Sequence, residues 1–238
     1  MSLTSTGDKL VYLHPQSHTS IRIAMTRLPA AQRREQLLDT AVKLFSEKGY
    51  AGATTAELAR AAGVTEPIIY RHFRSKKELF IAVIDRTSDL TLSTWERQLR
   101  SARDPAHRLR RLIGANPLVS DRGRGIYRVI VQAMMEIEDP EILAALQRHV
   151  ARLHAFVTEE VVHAQEQGQV SKAFSPEITA WTLMHLGLGY GIFAPLGMPS
   201  HAVDSRGTRV RDVVAALMLG DRARQVQDEM LKRRQQGE

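Results

Sequence analysis

The sequence of 238 residues predicts an all-α fold, and three observations support that prediction. Apolar residues recur at intervals of three and four along most of the chain, and no segment alternates as a strand does. Aromatic residues make up only 5%, and the 15 Gly and 9 Pro are few for a loop-rich β-sandwich. Hydrophobic residues at 43% and charged residues at 25% are typical of a globular protein, which excludes a disordered chain.

The first four helices are predicted from their caps and apolar spacing. The first begins at Ala30 and is expected to end at Gly49. Thr54–Glu57 has the pattern of a capping box, in which the threonine oxygen and the glutamate satisfy free backbone N–H groups, and it opens a short helix that ends at Gly63. Thr65 can cap a third helix, and the motif Ser75–Glu78 is a second capping box that opens a helix running toward residue 100.

Five further helices are predicted near 105–115, 123–138, 140–168, 176–194 and 208–234, separated by Asp, Pro and Gly breaks. Residues 1–24 show neither a helical period nor a secretory signal. We expect residues 1–30 to form a mobile extension, with Met25 as the native start. A basic arm that touches DNA through Lys9 and Arg22 is the alternative.

Residues 54–73 predict two short helices joined by a tight turn. A helix-turn-helix needs small residues where the helices cross, a turn glycine and an apolar residue after it, which Ala59, Gly63 and Val64 supply. The net charge is +7, and the basic surplus is larger in the first 100 residues than in the rest. Positively charged side chains follow the turn, where phosphates would lie: Arg71, His72, Arg74, Lys76 and Lys77. An ordinary helical hairpin with a solvated basic face is the alternative.

The stretch from about residue 34 to residue 84 resembles the DNA-binding region of TetR-type transcriptional regulators. The resemblance rests on Leu38-x-x-Ala41, Leu44-Phe45, Gly49-Tyr50, Thr54-Thr55, Leu58-Ala59, Ala62-Gly63-Val64-Thr65, Tyr70-x-His72-Phe73 and Ser75-Lys76-x-x-Leu79-Phe80. It covers about a fifth of the chain, in the right order and spacing. It implies a DNA-binding domain over 31–91 and a divergent helical domain over 92–238 that binds a ligand and dimerises.

The resemblance also implies roles for individual side chains in DNA binding. Thr55 and Tyr70 would contact phosphates, His72 would lie beside the DNA backbone, and Lys76 would add its charge at a helix N-terminus. The residues expected to face bases or the groove wall are Thr65, Glu66, Pro67, Ile68 and Arg71. Pro67 stands where the family often has glycine, so its contact there is with a thymine methyl or is lost. Phe73 is expected in the core.

A ligand pocket is expected by the same resemblance, and a largely apolar small molecule suits its lining. The candidate pocket residues are Trp95, Tyr127, Met134, Met135, Phe156, Trp181 and His185. For any single one of them, a place in the core is the alternative.

Residues 178–198 form a stretch without any charged side chain. This stretch is long enough to be considered as a membrane span. A buried helix that packs against its twofold mate explains it better. The candidate dimer-interface residues are Gly187, Gly191, Val210, Val214 and Leu217.

Nothing in the sequence predicts an enzyme. Cysteine is absent, which excludes disulfides and thiol chemistry. Neither H-E-x-x-H nor G-x-S-x-G occurs, and we predict no metal site and no cofactor. The sequence therefore predicts a homodimeric, cytoplasmic repressor that a small molecule releases from a palindromic operator. A helical interaction protein or membrane-associated protein without a DNA role is the alternative.

Overall fold

The computed structural model describes residues 28–102, 104–114, 121–193, 196–198 and 203–219. Its helices are α1 Ala30–Gly52, α2 Thr55–Ala62, α3 Glu66–Tyr70, α4 Lys76–Leu99, α5 Pro105–Gly114, α6 Asp121–Ala133, α7 Pro140–Glu166, α8 Pro176–Phe193 and α9 Val210–Leu219, with a 3-10 turn at Met134–Glu136. The described residues contain no strand beyond an isolated bridge, so the all-α prediction is confirmed. The predicted extension up to residue 27 and the predicted helix beyond residue 219 lie outside the described residues.

Glycines and caps divide the first helices much as the sequence predicts. Gly49 has φ +76°, but α1 continues past it for another three residues, so the predicted stop is a kink. The Thr54 capping box forms both of its bonds: the Thr54 oxygen accepts from the Glu57 N–H at 3.2 Å, and the Glu57 carboxylate accepts from the Thr54 N–H at 3.1 Å. A local motif therefore fixes the start of α2.

Of two further predicted caps, one forms in part and the other makes no side-chain hydrogen bond. Ser75 accepts from the Glu78 N–H at 3.0 Å, but the Glu78 carboxylate accepts from the backbone N–H of Arg74. The second capping box is therefore only half formed. Thr65 occupies the cap position of α3, where its hydroxyl makes no capping hydrogen bond.

One apolar core joins the first four helices to α6 and to the start of α7. Its large side chains include Phe45 and Phe80, whose rings pack edge to face with centroids 5.0 Å apart. The residues that α6 and α7 contribute are Val129, Ile130, Ala133, Ile142, Ala145 and Leu146. The helices that carry the turn therefore share their core with α6 and α7. The domain boundary predicted at residue 91 falls inside α4.

Helices α4 and α7 run side by side in the same direction. Asp85 pairs with Arg148 at 3.2 Å and Asp89 with Arg152 at 2.7 Å, each pair 63 residues apart in sequence. Ser88 bonds to His149, 61 residues further on. A nearly constant offset requires parallel helices. This seam connects the N-terminal helices to the rest of the bundle.

A second apolar core lies between α5, α7 and α8. Its buried residues are Leu109, Val157, Val161, Ala164, Val170 and Ala180. At its edge the buried Glu160 carboxylate accepts two hydrogen bonds from the Arg108 guanidinium. Because a buried charge is costly without a partner, this bidentate pair ties α5 to α7.

Candidate nucleic-acid interface

The turn between α2 and α3 has the geometry of a helix-turn-helix. Gly63 adopts φ +65°, a conformation that glycine reaches without strain, and its N–H caps the end of α2. The Val64 N–H donates to the carbonyl of Ala59 at 2.9 Å. Leu58 and Ile69 are buried between the two helices. Short-range bonds and a small apolar contact thus hold α3 against α2.

One side of α3 is buried and the other is open. Ile69 and Phe73 lie in the core, as predicted for Phe73, and the Arg34 guanidinium lies 5.0 Å from the centre of the Phe73 ring. Tyr70 is 49% exposed, and the exposed Arg71 has no ion-pair partner among the described residues. Of the other predicted contact residues in this segment, Thr65 and Pro67 are exposed. The half-buried ones are Glu66, Ile68 and His72.

A polar cluster of Thr55, Glu66 and Tyr70 connects the starts of α2 and α3. The Thr55 hydroxyl donates to Glu66 Oε2 at 2.7 Å, and Tyr70 Oη lies 3.3 Å from Thr55 Oγ1. A threonine hydroxyl has one hydrogen, so this bond competes with the phosphate contact predicted for Thr55. No local pattern predicts this bond, because its partners lie 11 residues apart in different helices.

The two lysines at the start of α4 are engaged within the chain. The Lys76 ammonium donates to the carbonyls of Tyr50 at 2.9 Å and Ala53 at 3.0 Å and lies 4.6 Å from the centre of the Tyr50 ring. It thereby satisfies carbonyls at the C-terminal end of α1. Lys77 pairs with Glu141 at 2.6 Å and with Asp139 at 3.2 Å. These two acids at the start of α7 raise the pKa of Lys77. The phosphate contact of Lys76 stays a prediction.

The predicted pocket residues fall into separate groups. The rings of Trp95 and Phe156 lie 5.7 Å apart across the seam of α4 and α7, and Trp95 Nε1 is buried with no hydrogen-bond partner among the described residues. Trp181 stacks on His185, with centroids 5.8 Å apart, and on His154. These two groups both border α7.

The other three predicted pocket residues lie toward the N-terminal helices. Tyr127 packs against the shared core, where burial raises its pKa. Met134 and Met135 lie on the 3-10 turn, and Met135 is 82% exposed. The structure does not bring these three residues to the Trp95–Phe156 pair.

The sequence analysis missed a buried polar contact in the same seam. Ser88 Oγ and His149 Nδ1 are 2.7 Å apart, and His149 Nε2 has no partner among the described residues. Desolvation lowers the pKa of His149 to about 4, and Arg152 lowers it further while Asp85 opposes that effect. The only sequence signal was a polar residue on an otherwise apolar stripe, which does not identify its partner.

The exposed apolar face of α8 is not the face on which Gly187 lies. Gly187 lies on the helical stripe of Ala180 and Met184, which both pack in the second core, whereas the surroundings of Gly191 lie outside what the structure describes. Large apolar side chains on the opposite face are exposed: Ile178, Leu186, Ile192 and Phe193. The dimer contact predicted for the two glycines stays a prediction, and the outward stripe is a second candidate.

The valines at the start of α9 differ in exposure. Val210 is exposed, whereas Val214 is buried. The side chain of Leu217 lies outside what the structure describes. Among the described residues, no helix is both long and apolar enough to cross a membrane.

Comparison with known proteins finds bacterial DNA-binding regulators as relatives of this chain. The profile described as "Bacterial regulatory proteins, tetR family" matches residues 37–83. The HTH-type transcriptional activator FasR of Mycolicibacterium smegmatis is 43% identical over 89 residues, which are 37% of this chain and 41% of FasR. The match therefore spans less than half of FasR. The nucleoid occlusion factor SlmA of Marinobacter nauticus is 29% identical over 148 residues, 62% of this chain and 74% of SlmA.

Solved structures share the fold over most of the chain. A TetR-family regulator from Rhodococcus sp. has a TM-score of 0.66 at 18% identity, covering 80% of this chain and 100% of that one. A regulator from Saccharomonospora viridis in complex with choline has a TM-score of 0.64 at 23% identity, covering 78% and 92%. AibR in complex with isovaleryl coenzyme A and operator DNA has a TM-score of 0.58 at 21% identity, covering 79% and 98%. Residues 37–83 thus form a TetR-type DNA-binding region, and the chain has the fold of TetR-family regulators.

Proposed function

We propose that this protein is a cytoplasmic, homodimeric repressor that binds a palindromic operator through α3 and releases it when a small molecule binds. The observation that carries the proposal is the open side of α3. There Tyr70 and Arg71 are exposed beside a helix-turn-helix, and no acid among the described residues pairs with Arg71. Such a helix enters a major groove with its first residues toward the bases.

The proposed dimer uses the outward stripe of α8 together with the start of α9. Leu186 and Phe193 expose apolar surface on α8, and Val210 and Val213 do so on α9. Exposed apolar side chains on these two helices suit an interaction site. A second copy of the chain is the occupant that a palindromic operator requires, because each copy reads one half-site.

The proposed effector binds where α4 meets α7, beside the Trp95–Phe156 pair. Trp95 Nε1 is a buried donor without a partner among the described residues, so an acceptor group on the effector would satisfy it. The surrounding side chains are apolar, which suits a largely apolar molecule. AibR and the Saccharomonospora viridis regulator were solved with isovaleryl coenzyme A and choline, so this fold does take up small molecules.

Release of DNA requires that the effector bind the non-operator conformation more tightly than the operator-bound one. Helix α4 gives a path for this coupling, because it carries Trp95 at one end and packs into the shared core at the other through Phe80. The reading helices of a dimer must lie about 34–36 Å apart to enter successive major grooves. A small shift of α4 that changes this spacing costs contacts at both half-sites.

Repression rather than activation needs a test of its own, because FasR is named an activator. A promoter containing the bound site and fused to a reporter gene tests it in cells with and without this protein. We expect expression to fall when the protein is present and to recover on addition of the effector. Higher expression in the presence of the protein would make it an activator and would refute the repressor assignment.

A further inference from the structure

We infer that Glu66 selects a cytosine in each half-site, and that Thr55 holds the Glu66 carboxylate in the position from which it does so. This inference rests on the proposed DNA-binding function. Glu66 is the first residue of α3, and the N-terminal residues of a recognition helix are those that contact base edges. It is also the only acid between residues 65 and 77.

The chemistry of a carboxylate limits which base it can accept. An ionised carboxylate has acceptors and no donor, so it needs an amino group on the base edge. In the major groove adenine presents its amino group beside the N7 acceptor, and guanine presents two acceptors. Cytosine presents its N4 amino group without a neighbouring acceptor of its own. A carboxylate at this place therefore favours cytosine and disfavours adenine and guanine.

The structure fixes one oxygen of Glu66 and leaves the other available. Oε2 accepts from the Thr55 hydroxyl at 2.7 Å, whereas Oε1 has no hydrogen-bond partner among the described residues. Glu66 is half-buried, so its side chain is confined without being withdrawn from the surface. A glutamate that is already held loses less side-chain freedom when it meets a base.

Thr55 is thus a positioning residue, and the nearby Tyr70 hydroxyl at 3.3 Å can donate to the same threonine oxygen. This assignment differs from a phosphate contact by Thr55 in a measurable way. A phosphate contact strengthens binding to every sequence, because it carries no base information. A positioning role changes the preference among bases at one place in the site.

The test begins with selection of duplexes from a random pool by the full-length wild-type chain. Binding constants are then measured for the selected duplex and for versions with each other base at every half-site position. The variants are Glu66→Gln, Thr55→Val and Thr55→Ser, and the melting temperature of each shows whether it is folded. Thr55→Ser is the matched control, because it keeps the hydroxyl that Thr55→Val removes.

We expect wild type and Thr55→Ser to prefer cytosine at one half-site position by about tenfold or more. Glu66→Gln should reduce that preference to less than about threefold, and Thr55→Val should reduce it by at least about threefold, with other positions unchanged. Cytosine preference that survives in Glu66→Gln, or a uniform loss across all duplexes in Thr55→Val, would overturn the inference. Failure of wild type to select any site would refute the proposed function itself.

Discussion

The buried His149 predicts a specific loss of stability in mild acid. Its ring is sealed between α4 and α7, and Ser88 is its hydrogen-bond partner. Burial lowers the pKa of His149 to about 4. The unfolded chain gains a proton near the ordinary histidine pKa of about 6.5. Between these values the unfolded state binds more protons than the folded state, so stability falls as the pH falls.

The size of the effect follows from the two pKa values. One unit of difference corresponds to about 1.4 kcal/mol. At pH 5 the unfolded histidine is almost fully protonated and the folded one, with its pKa about 4, is mostly neutral. Relative to pH 7.5, His149 alone should remove about 2 kcal/mol from the free energy of unfolding.

The assay is urea unfolding at pH 7.5 and pH 5, at one protein concentration, for wild type and His149→Asn. Asparagine can keep a hydrogen bond to Ser88 but cannot titrate in this range. We expect the wild type to lose about 2 kcal/mol more than the variant between the two pH values. His163→Asn, on the exposed side of α7, is the matched control and should behave as wild type. An equal loss in wild type and His149→Asn would mean that protonation of His149 does not cause the loss of stability.

Three other substitutions test the site and the dimer. Lys76→Ala removes two hydrogen bonds to carbonyls at the end of α1. In urea unfolding this variant should have a free energy of unfolding lower by about 2 kcal/mol. Unchanged stability would mean that the Lys76 ammonium does not stabilise the end of α1. Leu186→Glu places a charge on the outward stripe of α8, where Leu186 is 44% exposed, and should give a monomer in sedimentation. Leu143→Glu, at an exposed leucine of α7, should remain dimeric, and a dimeric Leu186→Glu would exclude that stripe as the interface. Arg71→Ala should reduce discrimination between the selected duplex and its single-base variants by at least about fivefold, whereas an unchanged ratio would mean that Arg71 reads no base.

The sequence predicted what local rules determine. The Thr54 capping box, the turn glycine Gly63 and the burial of Phe73 each depend on residues within a few positions of one another. Helix boundaries were correct to within a few residues for the same reason, although Gly49 proved to be a kink.

Long-range contacts could not be predicted in the same way. Ser88 and His149 lie 61 residues apart, and Lys77 and Glu141 lie 64 apart, with no pattern in either segment that names the other. The outward face of α8 was also hidden, because a helix that is apolar on every side has no polar face to mark the solvent. Gly187 suggested close approach of the twofold mate, but a glycine by itself does not distinguish that mate from a helix of the same chain.

Binding of a specific DNA sequence through α3 is tested by a ratio of two dissociation constants. Fluorescence anisotropy measures binding of full-length protein to the selected palindromic duplex and to a scrambled duplex of equal composition. Both are titrated at the same salt concentration, since phosphate contacts depend strongly on salt. We expect the selected duplex to bind at least about a thousandfold more tightly than the scrambled one. Equal dissociation constants for the two duplexes would contradict the account.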